Sequence, residues 1–373
     1  MTRKFVLRIL AVFTLPAVLL LTACSAEAPK VEEVVEEGGD VVVYGSLSMK
    51  SILEGTVSDR VAEHNVSITH SPLLGSEAFT KTLAQRNNPE AGVVIVDMSL
   101  FQQGIEADLW EDIDPDILTN AKDLSKVAQP AAFDNKGIGV YAQTFGIQYR
   151  KDILEDEGID FPTKLEDLKN PKLAGHVGLT STASGVGVWQ LIEFARLGGG
   201  DENNIRPGLE FAKNLVSSGQ VGYIGRSASD INQAMERGEI WVAIQYDQGA
   251  FNFIKGNPDV GFVYPAGGVP IEVNVAAIPR NAKNPRAAQR VLNELISADS
   301  QNEVANVVMA VPTRAELPRK AVKLGATEAK TGRVSVTEME AALGSKAHYI
   351  DWKIAAPQRA EWHRLWQEQV EAQ

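Results

Sequence analysis

Short runs rich in valine and isoleucine recur along the chain, and they constrain its fold more than any other feature of the sequence. Nearly continuous apolar runs of this length are typical of strands buried on both faces of a sheet. Segments with helical spacing separate the runs, as they do in folds whose sheets are covered by helices. The runs are residues 40–46, 91–99, 176–182, 239–247, 260–268 and 273–279. The pattern predicts an α/β fold with parallel or mixed sheets.

The segments between the runs carry helix ends. Ser76 is the predicted N-cap of a helix that stops before Pro89, and Ser227 or Ser229 begins another that ends at Gly238. A third helix is expected to bury one face, formed by Ala287, Val291, Leu292 and Ile296. The part of the chain after residue 40 is long enough for two domains.

The N-terminal residues have the three-part layout of a secretory signal. Basic residues precede an apolar stretch (residues 9–21) that is shorter than the roughly 20 apolar residues of a membrane-spanning helix. The sequence Leu-Thr-Ala-Cys at 21–24 resembles the lipobox of bacterial lipoproteins, which implies a signal peptide over residues 1–23 and a lipid anchor on Cys24. Residues 24–39 would then be the lipidated cysteine and an acidic, extended tether. An ordinary signal peptide with an incidental cysteine is the alternative.

Charge and composition exclude several classes of partner and chemistry. The formal net charge is −12 and becomes more negative once the basic signal is removed, so nucleic acid is not a predicted partner. A single cysteine cannot form an internal disulfide, and none of the five histidines falls in a metal-ligand spacing. We therefore predict no metal and no cofactor. The chain also lacks a nucleophile elbow, a zinc-protease motif, a P-loop and a complete dinucleotide fingerprint, so it is predicted not to be an enzyme.

The loops after the predicted strands are rich in hydroxyls, carboxylates and small residues. They read YGSLS, DMS, TSTASG, YDQG and AGGVPIEVN in chain order. Strand ends in α/β folds converge on one crevice where ligands bind. One polar loop alone is an ordinary connection, but five in succession predict a binding site.

The order of several motifs resembles the extracellular solute-binding proteins of ABC importers, in the type II periplasmic binding fold that includes polyamine and ferric-ion binders. The motifs are VVVYGS, FGIQYRKDIL, FPTKLEDLKNPKLAGHVGLTSTASGVG, MERGEIWVAIQYD, GGVPIEVNVAAIPRNAKNP, AVPTRAELP and the tail YIDWKIAAPQRAEWHRLWQEQV. The resemblance covers residues 40–373. It implies a first lobe from residues 40–142 and 273–330, a second lobe from residues 143–272, and closing helices in residues 331–373 that pack on the lobes.

The same resemblance implies a function. The two lobes would close over a small solute, and a membrane permease with its ATPase would then accept it. The protein would be a monomer in the cell envelope, held to the membrane by the lipid on Cys24 and facing the periplasm or the exterior.

Positions carried over from the resemblance give the candidate ligand-binding residues. They are Tyr44, Ser46, Asp97, Ser99, Ser181, Ser184, Tyr246, Asp247, Glu272 and Asn274. Three of them are carboxylates and none is arginine or lysine. Carboxylates beside tyrosine rings favour an ammonium-bearing solute, such as a polyamine-like compound, through charge-assisted hydrogen bonds and cation–π contact.

Alternatives stay open at this point. Asp97 could instead satisfy loop N–H groups, Asp247 could cap a turn before Gly249, and Glu272 could pair with a basic residue. The segment VPIEVN lacks the Trp-Asp pair of the polyamine-binding relatives, and no Tyr-Tyr pair typical of the iron-binding relatives occurs. A ferric-ion or small-anion binder of the same fold, a ligand-sensing lipoprotein for a membrane receptor, and a carboxylate-dependent hydrolase are the other functions considered.

Overall fold

The computed structural model describes residues 38–315 and 347–372. The predicted signal peptide and the predicted lipidation site at Cys24 lie outside these residues. Within them, no helix is both long enough and apolar enough to cross a membrane.

The strands define two main sheets. They are β1 (Gly39–Gly45), β2 (Val66–Pro72), β3 (Ala91–Val96), β4 (Ile138–Gln143), β5 (Phe145–Arg150), β6 (Val177–Thr180), β7 (Val221–Gly225), β8 (Val242–Tyr246), β9 (Val260–Val263), β10 (Val269–Pro270), β11 (Glu272–Ala277) and β12 (Ala347–His348).

The α-helices of the described residues pack on these sheets. They are α1 (Lys50–Ile52), α2 (Ser58–Ala62), α3 (Gly75–Ala84), α4 (Met98–Glu106), α5 (Lys151–Asp156), α6 (Gly185–Leu197), α7 (Arg206–Ser217), α8 (Ala228–Glu236), α9 (Asp247–Ile254), α10 (Pro285–Leu295), α11 (Ala298–Glu303) and α12 (Trp352–Trp366).

The first lobe contains a mixed sheet with the strand order β2-β1-β3-β11-β4. β1 runs parallel to β2 and β3, whereas β11 runs antiparallel to β3 and β4. Every residue of β3 and β11 is buried, because these central strands are covered on both faces.

The second lobe contains another mixed sheet, with the order β7-β6-β8-β5-β9. β6 is parallel to β7 and β8, and β5 is antiparallel to β8 and β9. The predicted mixed α/β class is therefore confirmed.

The chain crosses between the two sheets twice. Thr144 is the single residue between β4 and β5, and the return passes through β10 to β11. The Thr144 hydroxyl donates to the Pro270 carbonyl at 2.6 Å, so the two crossings are joined by a hydrogen bond. Residues on either side of the crossings are thereby brought close together.

Four strands of the two main sheets lie outside the predicted runs, for identifiable reasons. β2 and β7 are edge strands that are only partly buried, so polar residues interrupt their apolar pattern. β4 and β5 are buried, but glycine, glutamine and aromatic residues replace most of the valine and isoleucine.

The helix predictions are largely confirmed. Ser227 caps α8 by accepting from the Asp230 N–H at 3.2 Å, and the predicted face of α10 is buried. The predicted start of α3 was wrong: Leu74, not Ser76, is the N-cap. The Leu74 N–H donates to the Glu77 carboxylate at 3.1 Å, so the acid of the first turn satisfies this N–H.

α12 is attached to the second lobe by its aromatic residues. Trp352, Trp362 and Trp366 are buried in the apolar core of that lobe. Burial of side chains this large stabilises the attachment by about 1.5 to 3 kcal/mol each or more. The strand β12 pairs with β10 just before α12 begins.

Candidate functional site

Asp97 and Ser99 lie where β3 passes into α4. Asp97 is the N-cap of α4, and its Oδ1 accepts from the Leu100 N–H at 3.0 Å. This is the local role that the sequence left open for Asp97, and it involves one of the two carboxylate oxygens. Ser99 is buried in the first turn.

Glu272 is the first residue of β11, beside the start of α4. Its Oε1 accepts from the Met98 N–H at 3.1 Å, and only 3% of the residue is exposed. Burial raises the pKa of Glu272 well above its usual value, and the neighbouring Asp97 raises it further. The structure therefore brings two of the three predicted carboxylates together.

Tyr141 joins this group from β4, opposite Asn274 on β11. Burial raises the pKa of its phenol, Glu272 and Asp97 contribute in the same direction, and the nearby Ser46 hydroxyl opposes them. Sequence reasoning missed Tyr141, because it lies inside a strand and not in one of the loops that follow the strands.

Tyr246 reaches the same group from the second lobe, at the end of β8. Burial raises the pKa of its phenol well above the usual value, and Glu272 and Asp97 contribute in the same direction. The Trp189 ring packs edge-on at 5.0 Å between centroids. A methyl group on Gly185 would come within 2.5 Å of the Tyr246 hydroxyl oxygen, so only glycine fits there without a shift.

Arg359 of α12 completes the group and corrects the expectation that no basic residue belongs to it. Its Nη1 donates to the Ser99 hydroxyl and lies 3.8 Å from Asp97 Oδ1. We refer to Ser46, Asp97, Ser99, Tyr141, Tyr246, Glu272 and Arg359 as the central cluster.

A signal for Arg359 was present in the sequence. Trp352, Ala355, Arg359, Trp362 and Trp366 repeat at intervals of three and four residues and so share one face of α12. A charged residue in such an apolar stripe is unusual unless it has a partner. The resemblance implied only that this segment packs on the lobes, and Arg359 was not among the predicted site residues.

Ser181 and Ser184 lie in the loop between β6 and α6. Ser184 is the N-cap of α6, and Ser181 donates to Glu371 Oε1 at 2.6 Å. The Trp366 indole N–H donates to the same Glu371 oxygen at 2.9 Å. The chain after α12 thus closes over this loop, and both predicted serines have structural partners.

Asp247 and Asn274 belong to a network at the crossing strands. Asp247 Oδ1 accepts from the N–H groups of Thr144 and Gln248, which is the alternative that the sequence left open. Burial raises the pKa of Asp247 to about 7. The Asn274 amide donates to Gln143 at 3.1 Å.

Tyr44 is placed differently from the sequence expectation. Its hydroxyl donates to Glu90 Oε2 at 2.9 Å, and the Lys81 ammonium lies 4.7 Å from its ring centroid. The structure does not bring Tyr44 to the central cluster. Its ring packs in the core of the first lobe because the β1 side chain at this position points into the fold.

The donor set of the described residues does not resemble a histidine or cysteine metal site. Within residues 38–315 and 347–372, no group of three or more histidine, cysteine, aspartate or glutamate side chains is placed to hold a metal ion. The central cluster instead combines two carboxylates, one guanidinium and hydroxyl groups, which suits hydrogen bonding to a polar organic solute.

The chain also resembles known proteins in sequence and in fold. Residues 59–330 match the family described as bacterial extracellular solute-binding protein. No curated protein matches the chain. Solved structures of similar fold come from several transport systems.

Three of these structures illustrate the range of solutes. The spermidine/putrescine ABC transporter substrate-binding protein PotD from Streptococcus pneumoniae has a TM-score of 0.70 and 12% identity, covering 88% of this chain and 99% of that chain. AfuA from Actinobacillus pleuropneumoniae, with fructose-6-phosphate bound, has a TM-score of 0.67 and 19% identity over 90% and 99%. Iron-bound HitA from Pseudomonas aeruginosa has a TM-score of 0.64 and 17% identity over 87% and 98%. The predicted two-lobed fold is confirmed, while similarity at this low identity leaves the solute open.

Proposed function

Since the chain belongs to the family of bacterial extracellular solute-binding proteins, we propose that the solute it captures for an ABC transporter is a small, amine-bearing compound. Members of this family bind solutes and are not enzymes, and they act in the periplasm or at the cell exterior. The central cluster, between the two lobes, is the proposed binding site.

The observation that carries this proposal is the charge balance of the central cluster. Asp97 and Glu272 supply two carboxylates, and Arg359 is the one cation that contacts them within the described residues. An ammonium group placed between the carboxylates would form charge-assisted hydrogen bonds. It would also favour ionisation of Glu272, whose charged form is otherwise destabilised by burial.

The tyrosines support the same assignment. Tyr141 and Tyr246 lie close enough to Asp97 and Glu272 for these carboxylates to raise the pKa of both phenols. Neutral phenols can hydrogen-bond an amine and present ring faces to it.

A simple anion is disfavoured by the same charges. A phosphate placed against Arg359 would also meet Asp97, whose Oδ1 is 3.8 Å from the guanidinium. Repulsion between the anion and this carboxylate would offset much of the attraction.

We further propose that Cys24 carries the lipid that keeps the protein beside its permease. The support is the sequence Leu-Thr-Ala-Cys at the end of the apolar stretch. Mass spectrometry of the protein from membranes tests it, because lipidation predicts a chain that begins at Cys24 with an acyl-glycerol adduct.

Thermal unfolding of the purified full-length protein in the presence of amines, anions and ferric ion tests the solute class. A compound that binds only the folded state at 100 times its Kd raises the free energy of unfolding by about 2.7 kcal/mol. We expect stabilisation by amines. Stabilisation by phosphate or ferric ion alone would overturn the assignment and leave the family unaffected.

A further inference from the structure

Resting on the proposed function, we infer that the captured solute carries an acidic group as well as an amine, and that Arg359 is the residue that selects for this zwitterion. An amine alone would leave the positive charge of Arg359 without a partner on the solute.

Within the described residues, the contacts of Arg359 involve only part of its hydrogen-bonding capacity. Its hydrogen bond within the described residues goes to the neutral hydroxyl of Ser99, and Asp97 lies 3.8 Å away, outside ordinary hydrogen-bond distance. A guanidinium has five N–H donors in a planar fork that matches an acidic group with two oxygens. In the part of the chain that the structure describes, the contacts with Ser99 and Asp97 both involve the same nitrogen of Arg359, Nη1.

The position of Arg359 also points to a role besides packing. Its side chain is 17% exposed on the stripe of α12 that otherwise buries tryptophan and alanine against the second lobe. Removing a guanidinium from water costs free energy that a distant ion pair compensates only in part. A ligand anion that binds the fork would supply the missing compensation.

Electrostatics then discriminates between solutes. A diamine in the central cluster would place one ammonium near Asp97 and Glu272 and bring its second positive charge toward Arg359. A zwitterion would place its ammonium at the carboxylates and its acid at Arg359, so both charges would be matched. Since Arg359 and Asp97 are neighbours, the two groups of the solute must be separated by a short linker.

Matched probes of one chain length test this directly. Isothermal titration calorimetry on the purified full-length protein would compare 4-aminobutanoate, putrescine and n-butylamine, with butanoate as the acid alone. Glycine and β-alanine shorten the linker, and 2-aminoethanesulfonate and 2-aminoethylphosphonate replace the carboxylate by other acids. We expect at least one zwitterion to bind about tenfold or more tightly than every amine without an acid, as the loss of one charge-assisted hydrogen bond implies.

The variant Arg359→Gln isolates the cause. Its expected effect is a loss of about 10- to 100-fold in affinity for the zwitterion, with affinity for putrescine unchanged or increased. Arg364→Gln is the matched control, because Arg364 lies on the same helix and pairs with Glu361 and Glu368 at the exposed surface. For each variant, the Kd values for the zwitterion and for putrescine are measured on one preparation. An unfolded fraction affects both measurements equally and does not change their ratio.

The outcomes separate this inference from the proposed function. Binding of putrescine or n-butylamine as tight as that of every zwitterion would overturn the role of Arg359 and retain an amine solute. Binding of butanoate or phosphate without any amine, or binding of none of these probes, would overturn both. An unchanged preference in Arg359→Gln would assign Arg359 to structure alone.

Discussion

Replacement of Glu272 by glutamine tests the charge of the central cluster with little change in shape. The glutamine carbonyl can still accept from the Met98 N–H, which is the one hydrogen bond that the Glu272 side chain makes within the described residues. The other carboxylate oxygen becomes an NH2 group, which points a donor at the proposed ammonium. One charge-assisted hydrogen bond is therefore lost, so binding should weaken by about 1.5 to 3 kcal/mol. This corresponds to a loss of about 10- to 150-fold in affinity.

The affinity for the amine and the stability of the solute-free protein should both depend on pH through Glu272. Because burial raises the pKa of Glu272 and the ammonium binds its ionised form, affinity should rise with pH through that elevated pKa. Without a solute, the folded protein holds this proton at pH values where the unfolded chain has released it. Stability should therefore fall as pH rises between the two pKa values, and Glu272→Gln should remove that fall.

The assay is calorimetric titration of an amine that the wild-type protein binds, repeated from pH 5 to pH 8 with Glu90→Gln as control. Glu90 is an exposed carboxylate of the same lobe whose partners are Tyr44 and Lys81. Retained affinity and an unchanged pH profile in Glu272→Gln, with both variants folded, would refute the placement of the amine at Glu272.

Other predictions concern stability. Because burial raises the pKa of Asp247 from 3.8 to about 7, stability should fall as pH rises between these values, by on the order of 4 kcal/mol at most, and denaturation of Asp247→Asn should show a flatter profile. Trp366→Ala should cost about 3 to 5 kcal/mol in denaturant unfolding, more than Trp241→Ala, because Trp366 is fully buried and Trp241 is not; equal losses would contradict its anchoring role. Gly185→Ala should destabilise by about 1 to 3 kcal/mol through its contact with the Tyr246 hydroxyl, and adding Tyr246→Phe should recover part of the loss; strict additivity of the two substitutions would refute that contact.

The sequence predicted the fold better than it predicted the site. Continuous valine and isoleucine runs predicted β3 and β11 because these central strands are buried on both faces, whereas β2 and β7 escaped notice as partly exposed edges. The loop after β3 indicated Asp97 and Ser99, and the structure places both of them beside Arg359, because the ends of strands converge at one edge of a sheet.

The rest of the site depends on contacts that are distant in sequence. Arg359 reaches Ser99 across 260 positions of the chain, and nothing in a local pattern states which loop a tail helix will cover. Tyr44 shows the opposite error. It lies near the end of β1, just before a loop with the expected composition, but its ring packs in the core and its hydroxyl donates to Glu90.

The proposed binding mode links solute choice to movement of the lobes. Arg359 is attached to the second lobe through Trp362 and Trp366, whereas Asp97 and Glu272 belong to the first lobe. A ligand shifts a conformational equilibrium only by its difference in affinity for the two states. An amine without an acid would gain most of its charged contacts from the first lobe alone, and would favour closure only through Tyr246. A zwitterion would bind charged groups of both lobes at once, so the compound that satisfies Arg359 is also the one expected to hold the lobes together.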